Sequence, residues 1–399
     1  MQNSKIKRVQ NVLKRRLYEM IYRFYCLFPL EDKVVGSSFY GKKYENNTRY
    51  IMEALETVNP NIEKVWIKGI EYQFDVPEFL RVVTNKVQSI REYATAKVWI
   101  DTHNIPTYIK KRKGQLFLYC YHAGLFQKKI AADNHKKDAA GKHNADNADI
   151  YISNSNYLEL MIRTALQFHG PIWRTGLPKN DIFFLENGNC TSAKTNICKA
   201  FGLKPNVKIF LFAPTHRKTP LMLNSLKINY AELKKALAEK FGGEWAILIR
   251  LHPANIHQID NMLEFLGNEI VDANHYPNMQ ELILGSDVFM TDYSSTIFDA
   301  AERKIPCFTY VGDYKGFIQN RELYFSLDDL PFPYALTELE LVEQIRSYDY
   351  EEWQEKWEQF AKKCNLCDCK DSSIKIATFI NRYIGGDTKY KEYLSLIYE

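Results

Sequence analysis

The feature that most constrains this chain is an alternation that runs through it twice. Short apolar runs at residues 33–37, 64–67, 97–100, 115–120, 150–153 and 172–175 are separated in places by helical-period stretches such as 46–58 and 156–168. Strands alternating with helices predict a parallel sheet covered on both faces. After the polar, glycine-containing stretch 186–191 the rhythm restarts. Strands are expected at 207–212, 245–251, 269–271, 288–291 and 306–309, with helices at 230–241, 279–284 and 295–303. Helices at 338–347, 351–364 and 372–383 close the pattern. The expected class is α/β, with two doubly wound halves meeting at a cleft. The segments are 1–32, a basic amphipathic helix; 33–185, the first Rossmann-like domain; 186–370, the second; and 371–399, a C-terminal helix. Open parallel sheets bind ligands beyond the carboxyl ends of their strands, so chemistry is sought there.

Residues 5–28 read as one helix, with Val9, Leu13, Leu17, Met20, Ile21, Phe24 and Phe28 at helical spacing. Lys5, Lys7, Arg8, Lys14, Arg15, Arg16 and Arg23 oppose Glu19 alone. Such a helix fits an anionic membrane surface; the plainer alternative is a terminal helix packed on the body with a solvated basic face. The longest apolar run, 117–126, is about half of what a spanning helix needs. The net charge of +5, from 53 basic and 48 acidic residues, excludes a chain-wide field for nucleic acid. No cleavable export signal is visible, so the eight cysteines are expected to be reduced thiols in a cytoplasm.

Three strand ends in the second half concentrate polar chemistry. The strand at 288–291 meets Asp292, Tyr293, Ser294 and Ser295 and then a helix, with Asp299 one turn further along. Hydroxyls at a helix amino end suit a phosphate, and a carboxylate there suits sugar hydroxyls; equally, a serine can simply cap the helix. A second strand end carries Pro214, Thr215, His216, Arg217 and Lys218. A third carries Arg250, Leu251 and His252, where fixed cations can face a diphosphate. In the first half, the strand at 115–121 ends at His122-Ala123-Gly124, an imidazole placed as a general base. Lys110, Lys111, Arg112 and Lys113 before it and Lys128, Lys129, Lys136, Lys137 and Lys142 after it form a basic patch.

No GxxxxGK[ST] phosphate loop and no HExxH zinc site occurs. Cys364, Cys367 and Cys369 lack the second pair that a structural zinc site commonly has, so no metal is expected. Cys26, Cys120, Cys190, Cys198 and Cys307 read as small buried hydrophobes.

The runs TDYSSTIFDAAERKIP, APTHRK, IRLHP, TGLPKND and THNIPTYIKKRKGQLFLYCYHAG, with SSFYGKKYENNTRYIMEAL before them, resemble the CDP-glycerol glycerophosphotransferases of teichoic acid and capsule synthesis. The resemblance is collinear over about residues 33–380. It implies a GT-B fold, a donor nucleotide held mainly by the second domain, and no metal or other cofactor. It further implies that Pro214 and Thr215 contact the nucleotide. Arg250, Leu251 and His252 then stand at the family's Arg-x-His position, and Ser294, Ser295 and Asp299 complete the donor pocket. Lys179 stands where the family usually has arginine, keeping charge without the fork. His122 falls on the histidine of the family's Trp-His-Gly-Thr-Pro motif, flanked here by Tyr121 and Gly124.

The expected reaction is phosphoryl transfer from CDP-glycerol, or a related donor such as CDP-ribitol, to a lipid-linked saccharide or polyol-phosphate chain, with release of CMP. His122 would take the acceptor's proton, while Arg250, His252, the Ser294–Ser295 turn and Arg217 would stabilise phosphoryl charge. The expected setting is peripheral, at the cytoplasmic face of the cell membrane. Two alternatives share the fold: a glycosyltransferase using a nucleotide sugar, and a non-catalytic membrane- or polymer-binding protein.

Overall fold

The computed structural model describes residues 2–135, 147–185, 188–216, 228–252, 255, 269–367 and 370–387. Within the first half, seven strands run β1 (Glu31–Ser37), β2 (Glu63–Ile67), β3 (Arg81–Val83), β4 (Ala96–Asp101), β5 (Leu116–Tyr119), β6 (Ile150–Ser153) and β7 (Ile172–Arg174). Six strands follow in the second half: β8 (Lys208–Phe212), β9 (Trp245–Ile249), β10 (Val271–Asp272), β11 (Val288–Thr291), β12 (Cys307–Tyr310) and β13 (Tyr334–Ala335). Among the described residues every pairing between these strands is parallel, in the orders β3-β2-β1-β4-β5-β6-β7 and β10-β9-β8-β11-β12-β13. Parallel strands buried on both faces read as near-continuous apolar runs. LFLY of β5, WAILI of β9 and VFMT of β11 are accordingly buried at every position.

Strand order reverses between β1 and β4 in one sheet and between β8 and β11 in the other, which opens a crevice at the carboxyl edge of each. Two such lobes make the GT-B architecture expected above. Helices cover the sheets and begin at side-chain caps: Asn85 accepts from the amides of Val87 and Gln88, Ser155 from Leu158, Asn229 from Glu232 and Asn278 from Gln280. The helix Asn46–Val58 comes so close to β1 that a Cβ on Gly36 would lie 2.7 Å from both the Ile100 carbonyl and Thr48, so only glycine lets it approach.

The helix Tyr350–Cys364 packs Trp353, Trp357 and Phe360 on the second lobe. The helix Ser372–Ile384 returns to the first, where Ile376, Phe379 and Ile380 join a core with Val34, Leu55, Trp66 and Ile100. The terminal helix spans Gln2–Tyr25 and buries Tyr22 while leaving Val9, Leu13, Leu17, Met20 and Phe24 exposed. Among the described residues no helix is long and apolar enough to cross a membrane.

Several expectations need correction. From Gly188 the supposed break is already a helix, which runs to Phe201; residues 186 and 187 lie outside the description. The helices Lys86–Thr95 and Tyr314–Asn320 and the strands β3 and β13 were not anticipated. Of the cysteines read as buried, Cys26 and Cys190 are only half-buried. Cys367 is disulfide-bonded, so the expectation of uniformly reduced thiols fails there.

Candidate active site

The loop after β5 carries His122, and Asn47 fixes that loop. The fully buried Asn47 amide donates to the carbonyls of Cys120 and Tyr121, both at 2.8 Å, and its oxygen accepts from the Lys179 main chain at 3.1 Å. One side chain thus ties together the strand end, the helix Asn46–Val58 and the segment bearing Lys179. Tyr121 adopts φ 37°, in the left-handed region, and stacks on His122 with ring centroids 4.2 Å apart.

His103, at the end of β4, lies nearly parallel to His122 at 4.7 Å. Its loop is held by Asp101, whose buried carboxylate accepts from Ser37, Tyr93 and the His103 amide. Burial lifts that carboxyl to about 7. Both imidazoles are kept neutral. Burial lowers His122 well below its ordinary value, helped by His103, Lys179 and His252; burial and then His252 and Lys42 hold His103 at about 4. Nδ1 of His122 is buried and has no hydrogen-bond partner among the described residues.

From the second lobe, His252 rises after β9 and faces His216 at 5.3 Å. Desolvation of its ring, then His216, Lys128, Lys43 and Lys42, hold it at about 4. The leading influences on His252 are all of one sign. The Thr215 loop is pinned by Asp292, which accepts from the Thr215 amide at 2.8 Å, and Lys128 from the first lobe donates to the Thr215 hydroxyl at 3.4 Å. Ser295 makes no side-chain cap on the helix Thr296–Glu302, and the Ser294 hydroxyl lies 2.9 Å from that of Thr296. Ser294 also accepts weakly from the Thr296 amide at 3.4 Å, so capping accounts for Ser294 but not for Ser295.

Four expected residues are engaged differently from the expectation. Arg250 is buried and faces the other lobe, but its guanidinium donates to Glu45 at 2.9 Å and to the Tyr276 carbonyl at 2.7 Å. Asp299, expected to meet sugar hydroxyls, accepts from Lys179 at 2.5 Å and from Asn180 at 3.0 Å. Lys179 and Asp299 thus neutralise each other inside the protein. Gly124 is buried where an added Cβ would lie 2.7 Å from Asn154 and 2.8 Å from Leu177, a packing position. Pro214 and Leu251 are also buried, Leu251 donating its amide to Asn274. Arg217, Lys218, Lys136, Lys137 and Lys142 lie outside the described residues.

The basic patch splits in two. Lys111 pairs with Asp149, and Arg112 donates to the Phe28 and Ala94 carbonyls, whereas Lys110 and Lys113 are exposed. Among the described residues no cluster of three or more His, Cys, Asp or Glu is arranged to hold a metal ion.

Sequence reasoning overlooked Lys42, Lys43, Glu45, Asn47 and His103. The rule that selected His122, a polar residue just beyond a strand's carboxyl end, applies equally to His103.

The geometry is that of an imidazole-rich gap between two lobes, with Lys42, Lys43 and Lys128 beside it. A teichoic acid poly(glycerol phosphate) polymerase of Bacillus spizizenii (strain ATCC 23059 / NRRL B-14472 / W23) is 27% identical over 391 residues, 94% of this chain and 98% of that protein. One of Bacillus subtilis (strain 168) is 27% identical over 366 residues, 87% of this chain but 48% of its own length, so the chain spans about half of that relative. In three dimensions the chain is similar to the wall teichoic acid polymerase TagF, with a TM-score of 0.79 at 24% identity, covering 96% of this chain and 98% of that one. The profile of one family matches residues 20–382, and the chain belongs to it: CDP-Glycerol:Poly(glycerophosphate) glycerophosphotransferase.

Proposed function

We propose that this protein transfers glycerol phosphate from CDP-glycerol to a poly(glycerol phosphate) or lipid-linked acceptor in teichoic acid synthesis. The observation that carries this reading is the set of lysines about His252: Lys128 reaches from the first lobe to the Thr215 hydroxyl, Lys42 and Lys43 act on the same ring, and His103 and His122 stack on the first-lobe wall. Like charges gathered in one gap favour an anion between them, and a diphosphate supplies it.

In the proposed reaction the acceptor hydroxyl oxygen attacks the β-phosphorus of the donor and gives its proton to His122. The new P–O bond forms as the bond to the bridging oxygen breaks, and CMP departs with that oxygen. His122 enters neutral, with a lone pair to offer; the bound diphosphate raises its proton affinity. His252, Lys42, Lys43 and Lys128 balance the charge that spreads over the phosphoryl oxygens, and Ser294 and Ser295 offer hydroxyls to it. We take these fixed cations to replace a metal ion, so activity should survive EDTA.

We place the enzyme at an anionic membrane surface. The exposed side chains Val9, Leu13, Leu17, Met20 and Phe24 recur every three or four residues and form one stripe of the terminal helix. Lys14, Arg15, Arg16 and Arg23 lie on the same helix, and the exposed Lys110 and Lys113 stand near its base, where the Tyr22 hydroxyl donates to the Lys110 carbonyl. Apolar side chains beside cations suit the headgroup boundary of a bilayer, where the acceptor's lipid end would lie.

The test is CMP release from a panel of CDP-glycerol, CDP-ribitol and nucleotide sugars, each with a lipid-linked glycerol-phosphate acceptor and mass detection of the product. CDP-glycerol should be preferred. Sugar transfer to the same acceptor would replace this reading with the glycosyltransferase one.

A further inference from the structure

A cavity of about 190 Å³ adjoins His122 on the first-lobe side of the gap. Tyr40, Tyr121 and Tyr119 supply aromatic walls; Thr102 and His103 supply polar ones; and, among the described residues, Arg321 reaches in from the second lobe. None of Arg250, His252, Ser294 or Ser295 lines it.

Two observations mark it as a built site. Tyr40 (φ 61°), Tyr121 (φ 37°) and Ala131 (φ 42°) line it, and Phe39 (φ 49°) packs on both of its histidines; all four backbones are in the left-handed region that side chains disfavour. Such conformations persist only where the surroundings impose them, and they gather at ligand sites. The second observation is charge. Arg321 is half-buried, its Nε is buried without a hydrogen-bond partner, and it makes no ion pair among the described residues. Main-chain bonds next to it, Lys129 to Glu322 at 2.9 Å and Tyr324 to Gln127 at 2.7 Å, hold its segment against the first lobe.

A partly desolvated guanidinium calls for an anion, and its fork fits a phosphate. The volume equals about six waters at ~30 Å³ each, enough for one small polyol unit. Tyrosine faces suit its C–H surface, and the neutral imidazole of His122 suits a hydroxyl that must lose a proton.

We propose that this cavity seats the terminal unit of the acceptor, with its reactive hydroxyl at His122 and its phosphate on Arg321. The inference rests on the transferase reading above and assigns Arg321 as a specificity-determining residue for acceptors that end in a polyol phosphate.

The experiment compares wild type, Arg321→Ala and Arg321→Lys in three measurements: acceptor KM, CDP affinity by calorimetry, and direct binding of glycerol 3-phosphate as probe. Arg321→Ala should raise acceptor KM about 10- to 100-fold, the size of a lost charge-assisted contact. It should weaken glycerol 3-phosphate binding similarly and leave CDP affinity within about twofold. Arg321→Lys should fall between, and it stands in if the alanine variant misfolds. Unchanged KM and probe binding alongside intact CDP affinity would overturn the assignment. If wild type fails to bind CDP, the transferase reading falls instead, and glycerol 3-phosphate binding still decides whether Arg321 holds a phosphate.

Discussion

The Lys179 ammonium lies 2.5 Å from the Asp299 carboxylate, joining residues 120 positions apart in the chain, with both side chains about 95% buried. Removing one partner of such a pair leaves a desolvated charge behind, at a typical cost of about 3–5 kcal/mol. Lys179→Met and Asp299→Leu should each lower stability on that scale in urea denaturation, while the double variant recovers most of the loss. Losses that simply add would show the pair is not coupled.

Beside this pair stands Glu302, accepting from Asn180 at 2.9 Å. Burial, then repulsion from Asp299, raises its carboxyl from 4.5 to about 8. A raised folded value means the native state holds the proton more tightly than the unfolded chain does. Its stabilisation is therefore complete below about 4.5 and is lost as pH climbs to about 8. Glu302→Gln should flatten that decline. Asp101 and Asp181 are raised too, to about 7 and about 6, so the difference from wild type at pH 5 and pH 8 isolates Glu302.

His122→Ala should keep CDP affinity and cut turnover by about 10²–10⁴-fold, the usual range for a general base. Because burial already holds His122 and His103 below an ordinary imidazole, kcat/KM should stay level down through pH 6. An acid limb centred near 6.5, a free histidine's value, would contradict the burial assigned to them.

Legibility in the sequence followed local signals. The helices Asn46–Val58 and Tyr230–Phe241 and the strand Val288–Thr291 were read with their observed bounds, since each pairs a clear period with polar flanks. The strand Arg81–Val83 was missed because it is an edge of three residues with only Val83 buried. The helix Gly188–Phe201 was missed entirely because it opens on polar residues that read as a turn. In the site, strand ends pointed to His122, Arg250 and His252. The partners Glu45 for Arg250 and Lys179 for Asp299 come from remote segments, and only tertiary packing brings them together.

Leu13→Glu combined with Leu17→Glu places two carboxylates on the exposed stripe of the helix Gln2–Tyr25. Sedimentation with anionic vesicles should fall about tenfold or more, since each substitution removes an apolar side chain from the proposed lipid contact and adds a repelled charge. Turnover on a soluble acceptor should persist. Undiminished sedimentation would remove the helix from that role.

The contact between Arg250 and Glu45 has its own consequence for nucleotide entry. Both side chains are shielded from water, so small ions in solution do not compete for the guanidinium. A diphosphate that takes Glu45's place swaps one internal counter-ion for another and displaces few dissolved ones. Donor affinity should then vary only gently with ionic strength, and Glu45→Gln should make that dependence steeper.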